Sequence, residues 1–116
     1  MKDQLFMLRP GFRVNETGPF YCSDAAPIEG LLGFFPELRR LVDVHYLEQP
    51  RPRKPLVEIL GEDFQGTPVL VLGEGSVPRA QELTPERANG RAFFADPAAI
   101  RRYLSTQYNL PGPSGG

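Results

Sequence analysis

The chain opens with Gln4-Leu5-Phe6-Met7-Leu8-Arg9, a nearly continuous apolar run stopped by Pro10-Gly11. That is the pattern of a buried strand ended by a turn. Residues 12 to 21 mix Asn15, Gly18 and Pro19 with no periodicity and read as a loop ending in Phe20-Tyr21. From Ala25 to Val42, Ile28, Leu31, Leu32, Phe35, Leu38 and Leu41 recur at spacings of three and four, which lines one face of a helix. Pro36 must kink that helix or start its second half, because it removes an amide donor and crowds the preceding turn. Asp43-Val44-His45-Tyr46-Leu47 then carries the β-branched and aromatic character of a second strand.

Gln49-Pro50-Arg51-Pro52-Arg53-Lys54-Pro55 is too rich in proline for a regular element, but Leu56, Val57, Ile59 and Leu60 have helical spacing before Gly61. Gly66-Thr67-Pro68 leads into Val69-Leu70-Val71-Leu72-Gly73, the most strand-like run in the chain, with its proline where no ladder hydrogen bond is lost. Residues 74 to 90 have no clear period and read as a long loop, and Arg91-Ala92-Phe93-Phe94-Ala95 reads as a short strand. A strand there would be an exposed edge able to pair across a dimer, although the sequence sets no oligomeric state. Asp96 as N-cap and Pro97 at the first helical position announce a last helix over 97 to about 107, carrying Ile100, Tyr103 and Leu104.

The predicted order is β-α-β-α-β-β-α, an α/β fold with a four-stranded mixed sheet that starts from a right-handed parallel βαβ unit. Residues 1 to 108 form one domain, and residues 109 to 116 read as a flexible C-terminal tail. No internal repeat is present.

Composition narrows the function classes. With 41% hydrophobic residues and 23% charged residues in 116, the chain has the apolar content of a single globular domain. A formal net charge of −1 gives no global field toward nucleic acid or an anionic membrane, so neither partner is expected. There is no run of about 18 apolar residues, and the start is unlike a signal peptide, so the expected address is cytoplasmic. Cys22 is the only cysteine, so any disulfide chemistry must involve a second molecule.

This order, with a cysteine just ahead of the first helix and Thr67-Pro68 just ahead of the third strand, resembles the thioredoxin and glutaredoxin superfamily over residues 4 to about 107. The resemblance implies a thioredoxin-like fold in which a cis Thr67-Pro68 peptide packs beside Cys22. At finer grain, Asp3-Gln4-Leu5-Phe6, Arg9-Pro10-Gly11-Phe12, Phe20-Tyr21-Cys22, Ile28-Glu29-Gly30-Leu31-Leu32, Phe35-Pro36-Glu37-Leu38 and Pro50-Arg51-Pro52-Arg53 resemble an uncharacterised bacterial family of thioredoxin-like proteins. That family implies a Cys-x-x-Cys pair, whereas this chain has Cys22-Ser23-Asp24-Ala25 and lacks the second cysteine.

The candidate nucleophile is therefore Cys22 acting alone. A thiolate attacks disulfides, and a helix N-terminus favours the thiolate. Asp24 opposes it with a negative charge, and a helix capped by Asp24 would leave Cys22 outside. By resemblance to monothiol glutaredoxins, such a site would form and release a mixed disulfide with glutathione or a protein thiol; no other cofactor is expected. Tyr21 would wall the site, Thr67 and Pro68 would hold a thiol peptide, and Arg51 and Arg53 would receive a glutathione carboxylate. The plainer alternatives are a packed, unreactive Cys22, core aromatics at Phe20 and Tyr21, and a solvated basic stretch held extended by prolines. His45 has no Cys or second His to complete a metal site, and no metal is expected. Gly73-Glu74-Gly75 lacks the lysine and helix start of a phosphate loop, so nucleotide binding is not expected either.

Two functions follow. One is single-cysteine thiol-redox exchange through Cys22; the other is a non-catalytic binding module on a degenerate thioredoxin fold, consistent with Ala25 in place of a cysteine.

Overall fold

A computed structural model describes residues 1–114. β1 (Gln4–Leu8) lies at the heart of a mixed sheet, parallel to β4 (Asp43–Leu47) on one side and antiparallel to β5 (Val69–Val71) on the other. β5 pairs antiparallel with β7 (Arg91–Phe94), which pairs antiparallel with β6 (Glu86–Ala88), giving the order β4-β1-β5-β7-β6. The fold is α/β, as the hydrophobic pattern predicts.

The unbroken apolar run of β1 has a direct cause in the two covered faces of the sheet. Leu5 and Met7 join one buried cluster while Phe6 and Leu8 join the other, because successive side chains of a strand point to opposite faces. Leu70 and Phe94 go to the first cluster, and Val69, Val71 and Phe93 to the second. α1 (Ala26–Phe34) and α4 (Pro97–Gln107) cover the first face through Ile28, Leu32, Ile100, Tyr103 and Leu104. α3 (Lys54–Leu60) covers the second through Leu56 and Leu60. Each of these aliphatic side chains contributes about 1.5–3 kcal/mol by leaving water.

Pro36 acts as its chemistry dictates. α1 stops at Phe34, and the helical face resumes as the short α2 (Leu38–Leu41), whose Leu38 is fully buried. At the other terminus, the Asp96 carboxylate accepts from the Ala99 N–H at 2.9 Å and Pro97 opens the helix, so α4 has the expected bounds.

Five expectations are corrected. The sheet has five strands, not four: Asn89 and Gly90, with φ of 51° and 75°, form the two-residue turn of a hairpin that pairs β6 with β7. β7 is consequently an interior strand and not an edge. Residues 12 to 21 are a second hairpin, β2 (Phe12–Val14) with β3 (Thr17–Phe20), turned by Asn15 and Glu16 at positive φ; its two strands stay largely exposed, which is why no periodicity marks them. Finally, α1 is capped at Ala25, not Asp24, and α3 begins at Lys54 because Pro55 fits the first turn of a helix, where its missing N–H costs nothing. Of the expected tail, residues 115 and 116 lie outside the described residues, and within it the Leu110 N–H donates to the Ser105 carbonyl at 2.8 Å. No helix among the described residues is long and apolar enough to cross a membrane.

Candidate functional site

Cys22 sits between the end of β3 and the start of α1, half-buried, with its side chain packed against the cluster under α1 and α4. Its carbonyl accepts from the Ala25 and Ala26 N–H groups at 3.2 and 3.3 Å, so a single turn joins it to the helix. With the cap at Ala25, Cys22 lies outside α1, and the helix dipole acts on it from beyond the first turn. Ala25, at the place where a second cysteine is expected, is 6% exposed and belongs to the core. Pro27 occupies the first turn, where it breaks no helical hydrogen bond.

Arg53 is the best-anchored group of the region. It is 8% exposed, and its guanidinium reaches two loops at once: Nε and Nη2 donate to the Gln49 carbonyl at 3.0 and 2.7 Å, and Nη1 donates to the Gln65 carbonyl at 2.8 Å. The Arg53 N–H donates to Gln65 Oε1 at 2.7 Å, and Gln65 Nε2 returns to the Glu62 carbonyl at 2.9 Å. Arg53 makes no ion pair with a carboxylate among the described residues. Burial, and then the like charge of Arg51, pull its guanidinium below the usual range, while the neighbouring Cys22 acts in the opposite sense.

The other sequence-predicted residues divide. Thr67 and Pro68 stand at the entry to β5, with Pro68 buried, Thr67 half-buried and the peptide between them cis. Arg53 fixes the loop that delivers them, since Gln65 lies two residues earlier. Tyr21 adjoins Cys22 and is 68% exposed, so it is not a core aromatic; Phe20 is also exposed and tilts against Phe12 across the hairpin. Arg51 is exposed. Arg53 is no free surface cation: its donors are spent on main-chain carbonyls, so of the two predicted carboxylate receivers only Arg51 faces water.

Sequence reasoning missed Gln49 and Gln65, the two residues whose carbonyls hold Arg53. No side-chain pattern marks them, because both hold the guanidinium through main-chain carbonyls, and Gln65 does so from twelve residues away. His45 stacks on Phe6 with ring centroids 4.7 Å apart, and its buried Nε2 has no hydrogen-bond partner. No group of three potential metal-ligating side chains occurs among the described residues.

Residues 2–112 match the family described as Protein of unknown function (DUF3088), and the chain belongs to that family. Comparison with curated proteins and with solved structures gives no match.

Proposed function

We propose that this DUF3088 chain is a thioredoxin-like protein that exchanges a single thiol, Cys22, with glutathione or a protein thiol through mixed disulfides. The observation that carries the reading is the place of Cys22, half-buried in the turn that opens α1, in a fold where Pro68 stands at the entry to β5. The thiolate is the attacking species in such an exchange, and a half-buried sulfur in this turn is open to a second thiol or disulfide. The order β4-β1-β5-β7, with β1 and β4 parallel and the others antiparallel, supports the fold assignment, as does the position of Pro68 at the start of β5.

The chemistry balances without a second protein cysteine. The Cys22 thiolate attacks the disulfide of a glutathionylated substrate; the Cys22–glutathione bond forms and the substrate leaves as a thiolate. A glutathione thiolate then attacks that bond, releasing glutathione disulfide and restoring Cys22.

The test is incubation with glutathione disulfide followed by intact-mass spectrometry. A single adduct on Cys22 is expected, forming faster than on free cysteine, reversed by reduced glutathione and absent from Cys22→Ser. Formation no faster than on free cysteine, or an adduct that reduced glutathione does not remove, overturns the reading in favour of a binding module. That second reading is favoured by one observation, the use of position 25 as core: Ala25 is packed into the cluster under α1 and α4 and leaves Cys22 without a neighbouring thiol.

A further inference from the structure

Between α1, α4 and the segment after α4 runs a groove of about 830 Å3, walled by Leu31 and Phe34, by Arg101 and Ser105, and by Pro111 and Pro113. Its volume lies within the range of roughly 300–1,000 Å3 typical of small-molecule sites. The walls are largely apolar, and Phe34 leaves 80% of its surface in water. Leaving an aromatic this exposed costs solvation that an occupant would recover.

Three polar side chains interrupt the apolar lining; Arg102 is paired with Glu82, but Ser105 and Arg101 each hold a buried polar atom without a partner. Ser105 is 3% exposed with no hydrogen bond at Oγ, and Arg101 Nε is buried and unbonded. They are four residues apart on α4, so they lie one above the other on the same helix face. Both can donate, and a buried donor without an acceptor is costly enough that native structures rarely leave one so. The contrast with Arg102 is informative. Arg102 donates to Glu82 Oε1 at 2.7 Å, whereas Arg101 has no carboxylate partner among the described residues. A water molecule would satisfy the hydroxyl, but the positive charge beside it calls for an anion.

We propose that this groove binds an amphipathic carboxylate of the fatty-acid class, its head group accepting from Ser105 Oγ and Arg101 Nε and its alkyl chain lying against Leu31 and Phe34. A carboxylate has two oxygens and can accept both donors at once. The site does not contain Cys22, so it stands or falls independently of thiol exchange.

The probe is dodecanoate, held below its micellar concentration and followed by calorimetry and backbone-amide NMR. Saturable one-to-one binding is expected, with shifts concentrated in α1, α4 and residues 108–113. Dodecan-1-ol, which lacks the charge, should bind at least about tenfold more weakly, the scale of one charged hydrogen bond. Arg101→Gln and Ser105→Ala should each weaken dodecanoate by roughly five- to tenfold, whereas Arg40→Gln, exposed and away from the groove, should not. Phe34 is exposed in the free protein, so Phe34→Ala separates loss of binding from loss of fold and should also weaken the complex. Equal affinity for the alcohol and the acid, unsaturable binding, or shifts centred away from the groove would overturn the proposal. A concentration-dependent dimer whose contact covers Phe34 in sedimentation would also overturn it, in favour of a second copy as the occupant.

Discussion

The hydroxyl of Tyr103 donates a 2.6 Å hydrogen bond to Asp3, a residue one hundred positions earlier in the chain. Asp3 is 2% exposed and takes two more donors, the Tyr108 hydroxyl at 2.8 Å and the Gly73 N–H at 2.7 Å. No cation pairs with it among the described residues. The carboxylate thus fastens the lead-in to β1, the end of β5 and the last turns of α4 to a single point, with hydrogen bonds in place of an ion pair.

Removing one donor should be costly. Tyr103→Phe is expected to lower unfolding free energy by about 1.5–3 kcal/mol, the range for a hydrogen bond to a charged group, and Tyr108→Phe by less because Tyr108 is only half-buried. Because the two hydroxyls share one acceptor oxygen, the double substitution should depart from the sum of the singles. Urea titrations of the three variants read this directly, and strict additivity would show that the two bonds are independent.

Alkaline pH should loosen the same knot. Burial, and then the hydrogen bond to Asp3, push both the Tyr103 and Tyr108 hydroxyls far above their usual ionisation range. Above about pH 10 the unfolded chain releases these protons while the folded chain keeps them. The unfolded state then binds fewer protons, so stability falls as pH rises, by up to about 1.4 kcal/mol per pH unit for each tyrosine. Below about pH 10 neither tyrosine gives a slope. Urea midpoints between about pH 8 and pH 12 should show this break, and Tyr103→Phe should flatten it.

Gly73 has no room for a side chain. A Cβ there would strike the Met1 carbonyl and stand 3.0 Å from the Lys2 carbonyl, both backbone atoms. Gly73→Ala should therefore displace the lead-in to β1 and weaken the Gly73 N–H bond to Asp3, lowering stability by about 2 kcal/mol or more. Gly30→Ala, on the exposed side of α1 with nothing within 4 Å of the added carbon, should instead stabilise by about 0.5–1 kcal/mol. Opposite shifts in melting temperature are the readout.

Arg53 should matter to the fold through its geometry more than its charge. Lys keeps the charge but cannot span the Gln49 and Gln65 carbonyls with a planar fork, so Arg53→Lys should lower stability by about 2 kcal/mol, and Arg53→Met, which also loses the charge, by at least as much. Urea midpoints of the two variants read this, and a Lys variant as stable as the parent would show that the fork is not needed.

How much of this was legible depends on whether neighbours or strangers decide each feature. β1, α1, β4, β5 and α4 are written locally: two covered faces impose continuous apolar runs on strands, and one covered face imposes a three-four repeat on helices. β6 was hidden because Glu86-Arg87-Ala88 lies mostly in water and carries no apolar alternation, although Asn89-Gly90 beside it is a strong hairpin signal. The β2–β3 hairpin was hidden for the same reason, and its Glu16 at φ 68° is a residue rarely used there. At the candidate site, Cys22, Thr67 and Pro68 are singled out by residue type and chain order alone. The buried state of Arg53 is not legible, because basic residues among prolines normally lie in water, whereas here the Gln49 and Gln65 carbonyls draw this one inside.

The short hairpin partner of β7 has a bearing on how the protein behaves when crowded. Without β6, the strand carrying Phe93 and Phe94 would present a row of unpaired amides beside two large aromatics, the kind of rim on which other chains add and sheets grow. Glu86 and Arg87 instead place exposed charge of both signs along a three-residue border. Shielding of that aromatic-bearing strand from other chains is thus vested in a strand too short and too polar to contribute much to the core.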